Sequence, residues 1–210
     1  MTTSKIPSRP FDAVLCDLDN VIRFYDSSQL AELERAAGLA EGTTAKVAYA
    51  PEIDLPLLLG KITQQQWVES IVVRLAGQVP EAQARDLGTA LAKAPFWADD
   101  VVVALLRRVR AHMPLVLVTN ATVELENDLA SMGLADFADH VVSSARVRAA
   151  KPDRKIYEIA AERAGVIMER CLFVDDRLEN IEAAVALGMT GVHYREPADL
   201  RESLSFLLNS

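Results

Sequence analysis

Residues 13–19 read AVLCDLD, an apolar run that ends in two aspartates one position apart. This stretch constrains the chain more tightly than any other. Four apolar residues with strand character read as a strand covered on both faces. Carboxylates at the end of such a strand are costly to bury unless something neutralises them. Whatever fold forms must therefore bury residues 13–16 and still supply a partner for Asp17 and Asp19.

The same pattern recurs along the chain. Apolar runs at Leu115–Val118, His140–Ser143, Cys171–Val174 and Gly191–Tyr194 also read as buried strands. Helical patterns lie between them. Thr122–Met132 carries acidic residues in its first turns and is followed by Gly133. Asp153–Ala164 puts Ile156, Ile159, Ala160 and Ala164 on one face and stops at Gly165, and Asn180–Leu187 stops at Gly188. Strand and helix in alternation with short joints predict an α/β fold, doubly wound around a mainly parallel, five-stranded sheet.

The alternation breaks once. From about Tyr25 to Pro95 no strand is evident, and the sequence reads as three or four amphipathic helices separated by a Gly42–Asp54 loop and by Gly77–Pro80. An insert placed directly after the first strand predicts a helical cap over that strand's end. The expected organisation is an α/β core from residues 1–23 and 96–210, with a cap at 24–95. Trp67 is expected in the core of the cap.

Composition excludes several roles. The chain has 210 residues, half of them apolar and a quarter charged, as in a globular protein with a substantial core. A formal charge of −8 argues against nucleic acid, which is bound by excess Lys and Arg. The N-terminal MTTSKIPSRP has no apolar signal core, and no uncharged run is long enough to span a bilayer, so a cytoplasmic protein without membrane contact is expected. Cys16 and Cys171 lie in apolar runs without metal-ligand spacing and are expected buried and reduced.

In an open α/β sheet, ligands bind outside the carboxyl ends of the strands. The first strand ends in Asp17-Leu18-Asp19 and the second in Thr119-Asn120. Lys151-Pro152 follows the third, and the fourth ends in Asp175-Asp176 with Asn180 a turn further on. Acids, a hydroxyl, an amide and an amine are thus delivered to one edge by separate segments.

With these residues in view, the sequence resembles the haloacid dehalogenase-like hydrolase superfamily, most of whose members are phosphatases. DLDNVI is similar to its first motif, LVTNAT to its second, AAKPDRKIY to its third and LFVDDRLENIEAA to its fourth. LLLGKITQQQWVESI resembles a helix entry common in the family's helical caps. The resemblance implies a Rossmann-like core with a small C1-type cap, and a phosphatase acting through an aspartyl phosphate.

Asp17 would be the nucleophile and Asp19 the general acid and base, since residues i and i+2 of extended chain project the same way. The resemblance further implies Mg²⁺, held by the Asp17 carboxylate, the Asp19 carbonyl and Asp176, with Asp175 a ligand directly or through water. Lys151 would neutralise charge, and Thr119 and the Asn120 N–H would hold phosphoryl oxygens. Asn20 stands where the family most often has Gly, and Asn is the next most tolerant residue of a left-handed backbone. Asn180 stands where an acid is frequent.

Asp19 separates this reading from a dehalogenase, which lacks an acid/base Asp there. A phosphonate hydrolase would need a Schiff-base lysine from the cap, for which Lys46 and Lys61 are available. A sugar-phosphate mutase, or a binding protein that keeps the fold without catalysis, are the alternatives. The expected substrate is a small phosphorylated metabolite, such as a sugar phosphate or nucleotide monophosphate, with Tyr25, Lys46 and Tyr49 as candidate contacts. A monomer or homodimer is expected. His112, His140 and His193 match no motif.

Overall fold

A computed structural model describes residues 9–208. The apolar runs become strands because their side chains alternate between two buried faces. β1 (Ala13–Cys16) sends Val14 and Cys16 into one apolar cluster and Ala13 and Leu15 into another. A short strand pair follows, β2 (Arg23–Tyr25) and β3 (Phe96–Ala98). The remaining strands are β4 (Leu115–Thr119), β5 (His140–Ser143), β6 (Cys171–Asp175) and β7 (Thr190–His193). β4 and β6 repeat the alternation of β1: Leu115, Leu117, Leu172 and Val174 face one way, and Val116, Val118, Cys171 and Phe173 the other.

The five long strands form one parallel sheet in the order β5-β4-β1-β6-β7. The chain builds outward from β1 through β4 to β5, then crosses to the other side of β1 for β6 and β7. That reversal makes the carboxyl ends of β1 and β6 the topological switch point, where a crevice opens in such sheets. The doubly wound, five-stranded parallel α/β sheet expected from the alternation is therefore the architecture observed.

The helical insert consists of α1 (Ser28–Ala36), α2 (Thr43–Ala48), α3 (Pro51–Leu58), α4 (Gln64–Leu75) and α5 (Glu81–Ala92). The helices that flank the sheet are α6 (Asp100–Arg110), α7 (Leu125–Ser131), α8 (Ser144–Val147), α9 (Arg154–Ala164), α10 (Leu178–Ala186), α11 (Pro197–Ser203) and α12 (Ser205–Leu208). α6, α7 and α11 cover one face of the sheet, and α9 and α10 the other. The insert packs around its own apolar cluster, which includes Ile71, Leu75, Leu87 and Trp67, the last 4% exposed.

Two details differ from the sequence reading. The insert has five helices, and most of the expected Gly42–Asp54 loop is helical. The cause is a tertiary cap: the buried Glu34 carboxylate of α1 accepts the Gly42 and Thr44 N–H groups at 2.7 and 2.6 Å, starting α2 without a local capping side chain. The ribbon of β2 and β3 was also not evident, because three-residue strands carry almost no periodicity. It pairs Arg23 with Ala98 and Tyr25 with Phe96, antiparallel, at the root of the insert. Cys16 and Cys171 are buried free thiols, as expected. No helix among the described residues is long and apolar enough to cross a membrane.

Candidate active site

Parallel pairing delivers the strand ends to one edge. Asp17 follows β1, Thr119 ends β4 and Asp175 ends β6, while Lys151 arrives from the loop between α8 and α9. The Lys151 side chain is almost wholly buried, and its Nζ lies 2.7 Å from Asp17 Oδ1 and 2.7 Å from Asp175 Oδ2. One ammonium thus bridges the carboxylates of the first and fourth motifs. The Asn120 side chain holds the lysine backbone from both sides: its Oδ1 accepts from Lys151 N at 2.7 Å and its Nδ2 donates to Lys151 O at 3.0 Å.

Asp175 is fixed on its other oxygen, where Oδ1 accepts from Arg177 N at 2.8 Å and from Asn180 Nδ2 at 2.9 Å. Asp17 Oδ1 also accepts from Leu18 N at 2.7 Å. Asp176 Oδ2 accepts from Asn20 Nδ2 at 3.0 Å, and Asn20 sits in the left-handed region at φ 59°. The backbone tolerance expected of Asn20 is thus used, and its amide makes a bond that glycine cannot. His193, which matched no motif, places Nε2 2.9 Å from the Asp176 carbonyl oxygen.

Charge does not balance in this pocket. Burial pushes the Asp17 carboxyl up to about 8 against the pull of Lys151, with Asp175 and Asp19 adding to the rise. Burial works against the charge of Lys151, but Asp17 and Asp175 outweigh it and hold the ammonium protonated. Burial, with help from Asp175, also raises Asp176. Among the described residues, Asp17, Asp175 and Asp176 bring carboxylate oxygens within 4.8 Å of one another. An all-oxygen set of three carboxylates with one ammonium suits a hard divalent cation, which would restore neutrality. The Thr119 hydroxyl is buried and has no hydrogen-bond partner among the described residues. Such an orphan at a strand end is costly unless a ligand engages it.

Asp19 is arranged differently from Asp17. Its carboxylate turns to Arg23, which donates Nε to Oδ1 at 2.6 Å and a terminal N–H to Oδ2 at 3.1 Å. Tyr25 Oη donates to Oδ1 at 3.0 Å. Arg23 was not singled out from the sequence, and the available signal was a lone charge inside the apolar stretch VIRFY, four residues after Asp19. Of the other candidate contacts, Tyr49 is 59% exposed with its ring 6.4 Å from that of Trp67, and no bond joins Lys46 or Lys61 to the strand-end cluster.

Comparison with known proteins identifies the family. Residues 11–188 match the family model of haloacid dehalogenase-like hydrolases. The pyrimidine 5′-nucleotidase YjjG of Escherichia coli is 35% identical over 101 residues, which are 45% of each chain. The glyceraldehyde 3-phosphate phosphatase of Methanopyrus kandleri is 29% identical over 201 residues, covering 87% of this chain and 83% of that one. The chain spans about half the length of the first curated relatives it matches. Among solved structures, the HAD family enzyme BT-2542 of Bacteroides thetaiotaomicron, in complex with magnesium and inorganic phosphate, shares the fold with a TM-score of 0.67 at 19% identity, over 88% of this chain and 94% of that one. The match to the family model takes in all four strand-end segments, and the chain belongs to the haloacid dehalogenase-like hydrolases.

Proposed function

We propose that this protein is a Mg²⁺-dependent phosphatase that hydrolyses a small phosphorylated metabolite through an aspartyl phosphate on Asp17. One observation carries the reading: a single buried ammonium bridges two buried carboxylates, with a third acid beside them. That group has an unmet need for positive charge and, in Thr119, an unmet hydrogen bond. A divalent cation and a phosphoryl group meet both needs. The named activities of the E. coli and M. kandleri relatives, on a nucleotide and a triose phosphate, support the same class.

In this reading Asp17 attacks phosphorus, and the bond to the leaving oxygen breaks as Asp19 supplies its proton. Lys151 faces the phosphoryl oxygens with a compact charge, and the Thr119 hydroxyl donates to one of them. Asp19 then takes a proton from the water that attacks the aspartyl phosphate and releases inorganic phosphate. Asp17, Asp175 and Asp176, with the Asp19 carbonyl, would hold Mg²⁺, which supplies charge neutralisation at the phosphoryl group. The helices between residues 28 and 92 would act as the cap that selects the leaving group.

The test is hydrolysis of p-nitrophenyl phosphate by the purified protein. Activity should vanish in EDTA, return with Mg²⁺ and be lost in Asp17→Asn. Full activity in Asp17→Asn, or none in the wild type on any phosphate ester, would rule the reading out.

A further inference from the structure

Arg23 is the one buried arginine among the described residues, only 4% exposed. Burying a guanidinium is expensive unless its donors are satisfied. Two donors fork onto the two oxygens of Asp19, and another terminal nitrogen donates to Asp128 Oδ2 at 2.8 Å. The rings of Tyr25 and Phe96 lie beside it, with centroids 5.2 and 5.4 Å from Cζ. One side chain therefore ties the loop after β1 to both strands of the β2–β3 ribbon and to α7. A planar fork fixes the plane of a carboxylate in a way that a point charge cannot.

We propose that Arg23 is a positioning residue for proton transfer, holding the Asp19 carboxyl group so that its Oδ2 faces the leaving-group oxygen of a phosphate ester. The inference rests on the reading of Asp19 as the general acid. Oδ1 is occupied by Arg23 Nε and by Tyr25 Oη, whereas among the described residues Oδ2 accepts only the longer arm of the fork. Oδ2 is thus the oxygen with room to carry the proton. As the P–O bond to the leaving group breaks, its electron pair takes the proton from Oδ2. The alcohol departs, and the negative charge left on Asp19 meets Arg23. In the second half-reaction Oδ2 recovers a proton from the attacking water.

The role can be read through leaving groups. p-Nitrophenolate departs with little proton assistance, and phenolate needs more. In Arg23→Lys, which keeps the charge and removes the fork, kcat for phenyl phosphate should fall about tenfold more than kcat for p-nitrophenyl phosphate. KM for both esters should stay within about twofold, because Arg23 does not touch the phosphoryl group. In an Asp19→Asn background the same change should leave the ratio of the two rates unaltered. Asp128→Asn removes only the charge of a half-buried anchor of Arg23 and should shift the ratio in the same direction, by about threefold, even where Arg23→Lys fails to fold.

An equal loss on both esters in Arg23→Lys, an unchanged ratio in Asp128→Asn, or a ratio that still shifts without Asp19 would each overturn the proposal. An Asp19→Asn variant with an unchanged ratio would remove the general-acid reading of Asp19 on which the proposal rests, and a wild type that hydrolyses no phosphate ester would instead remove the phosphatase reading beneath both.

Discussion

Asn20 shows how one side chain can serve the backbone and the site together. Its φ of 59° lies where glycine is unstrained and most residues are not, and its amide reaches Asp176 across 156 positions of sequence. The two contributions can be separated. Asn20→Gly keeps the backbone and removes the bond, so stability should change by less than about 0.5 kcal/mol while Mg²⁺ affinity weakens about threefold. Asn20→Ala should weaken Mg²⁺ similarly and cost about a further 1 kcal/mol in the left-handed turn. Urea unfolding in EDTA and a Mg²⁺ titration followed by thermal midpoint distinguish the two, and unaltered Mg²⁺ affinity in both variants would show the amide to be idle. At this scale Asp17 and Asp175 were legible because strand ends are legible, and Lys151 from its place before Pro152 at the entry to a helix; the sheet then determines which residues meet. The Asn20 amide and Arg23 were not, because their partners are set by folding: Asp128 is 105 positions from Arg23.

The elements divide in the same way. Long strands announce themselves by two-faced apolar runs, and α9 and α10 by their apolar faces and the glycines that follow them. α2 does not, since its start depends on Glu34 from the preceding helix. α3 carries a testable consequence of its position. Burial pushes the Asp54 carboxyl up to about 6, partly opposed by the charge of Arg177 from the loop after β6. An acid raised in the folded state binds its proton more tightly there than in the unfolded chain. Its contribution is therefore intact below the unfolded pKa and is lost as pH rises through about 6. Asp54→Asn removes that loss, so the variant should be more stable than wild type at pH 7.5 by on the order of 1 kcal/mol, with the gain vanishing towards pH 4. Chemical unfolding at the two pH values checks it, and a gain that grows at acid pH would contradict the assignment.

At the scale of the whole molecule, the insert leaves and re-enters the α/β core at one place. Asp26 N donates to Pro95 O at 2.8 Å, just beyond the β2–β3 pairing of Tyr25 with Phe96. The helices beyond that point bury Ile71, Leu75 and Leu87 among themselves, while the sheet keeps its own apolar clusters on its two faces. The departure from strand–helix alternation made this insertion legible in sequence. Its seat on the core was not, because that depends on close approaches such as Gly60, where an added Cβ would lie 3.1 Å from the Ala145 carbonyl oxygen. Joining Asp26 to Pro95 through a short Gly-Ser linker should therefore leave a folded core, with β2 and β3 now a simple hairpin. Arg23, Asp19 and the strand-end carboxylates all remain in that core. Its far-ultraviolet circular dichroism should show helix lost without loss of the sheet, and unfolding should stay cooperative. Hydrolysis of p-nitrophenyl phosphate should persist at a reduced rate, because every residue assigned to the chemistry is still present. Discrimination among phosphorylated metabolites should narrow, because the surface assigned to select the leaving group is gone. A core that fails to fold would show that the insert is needed for its stability, and one that folds and keeps the full-length substrate ranking would move specificity from the helices to the strand ends.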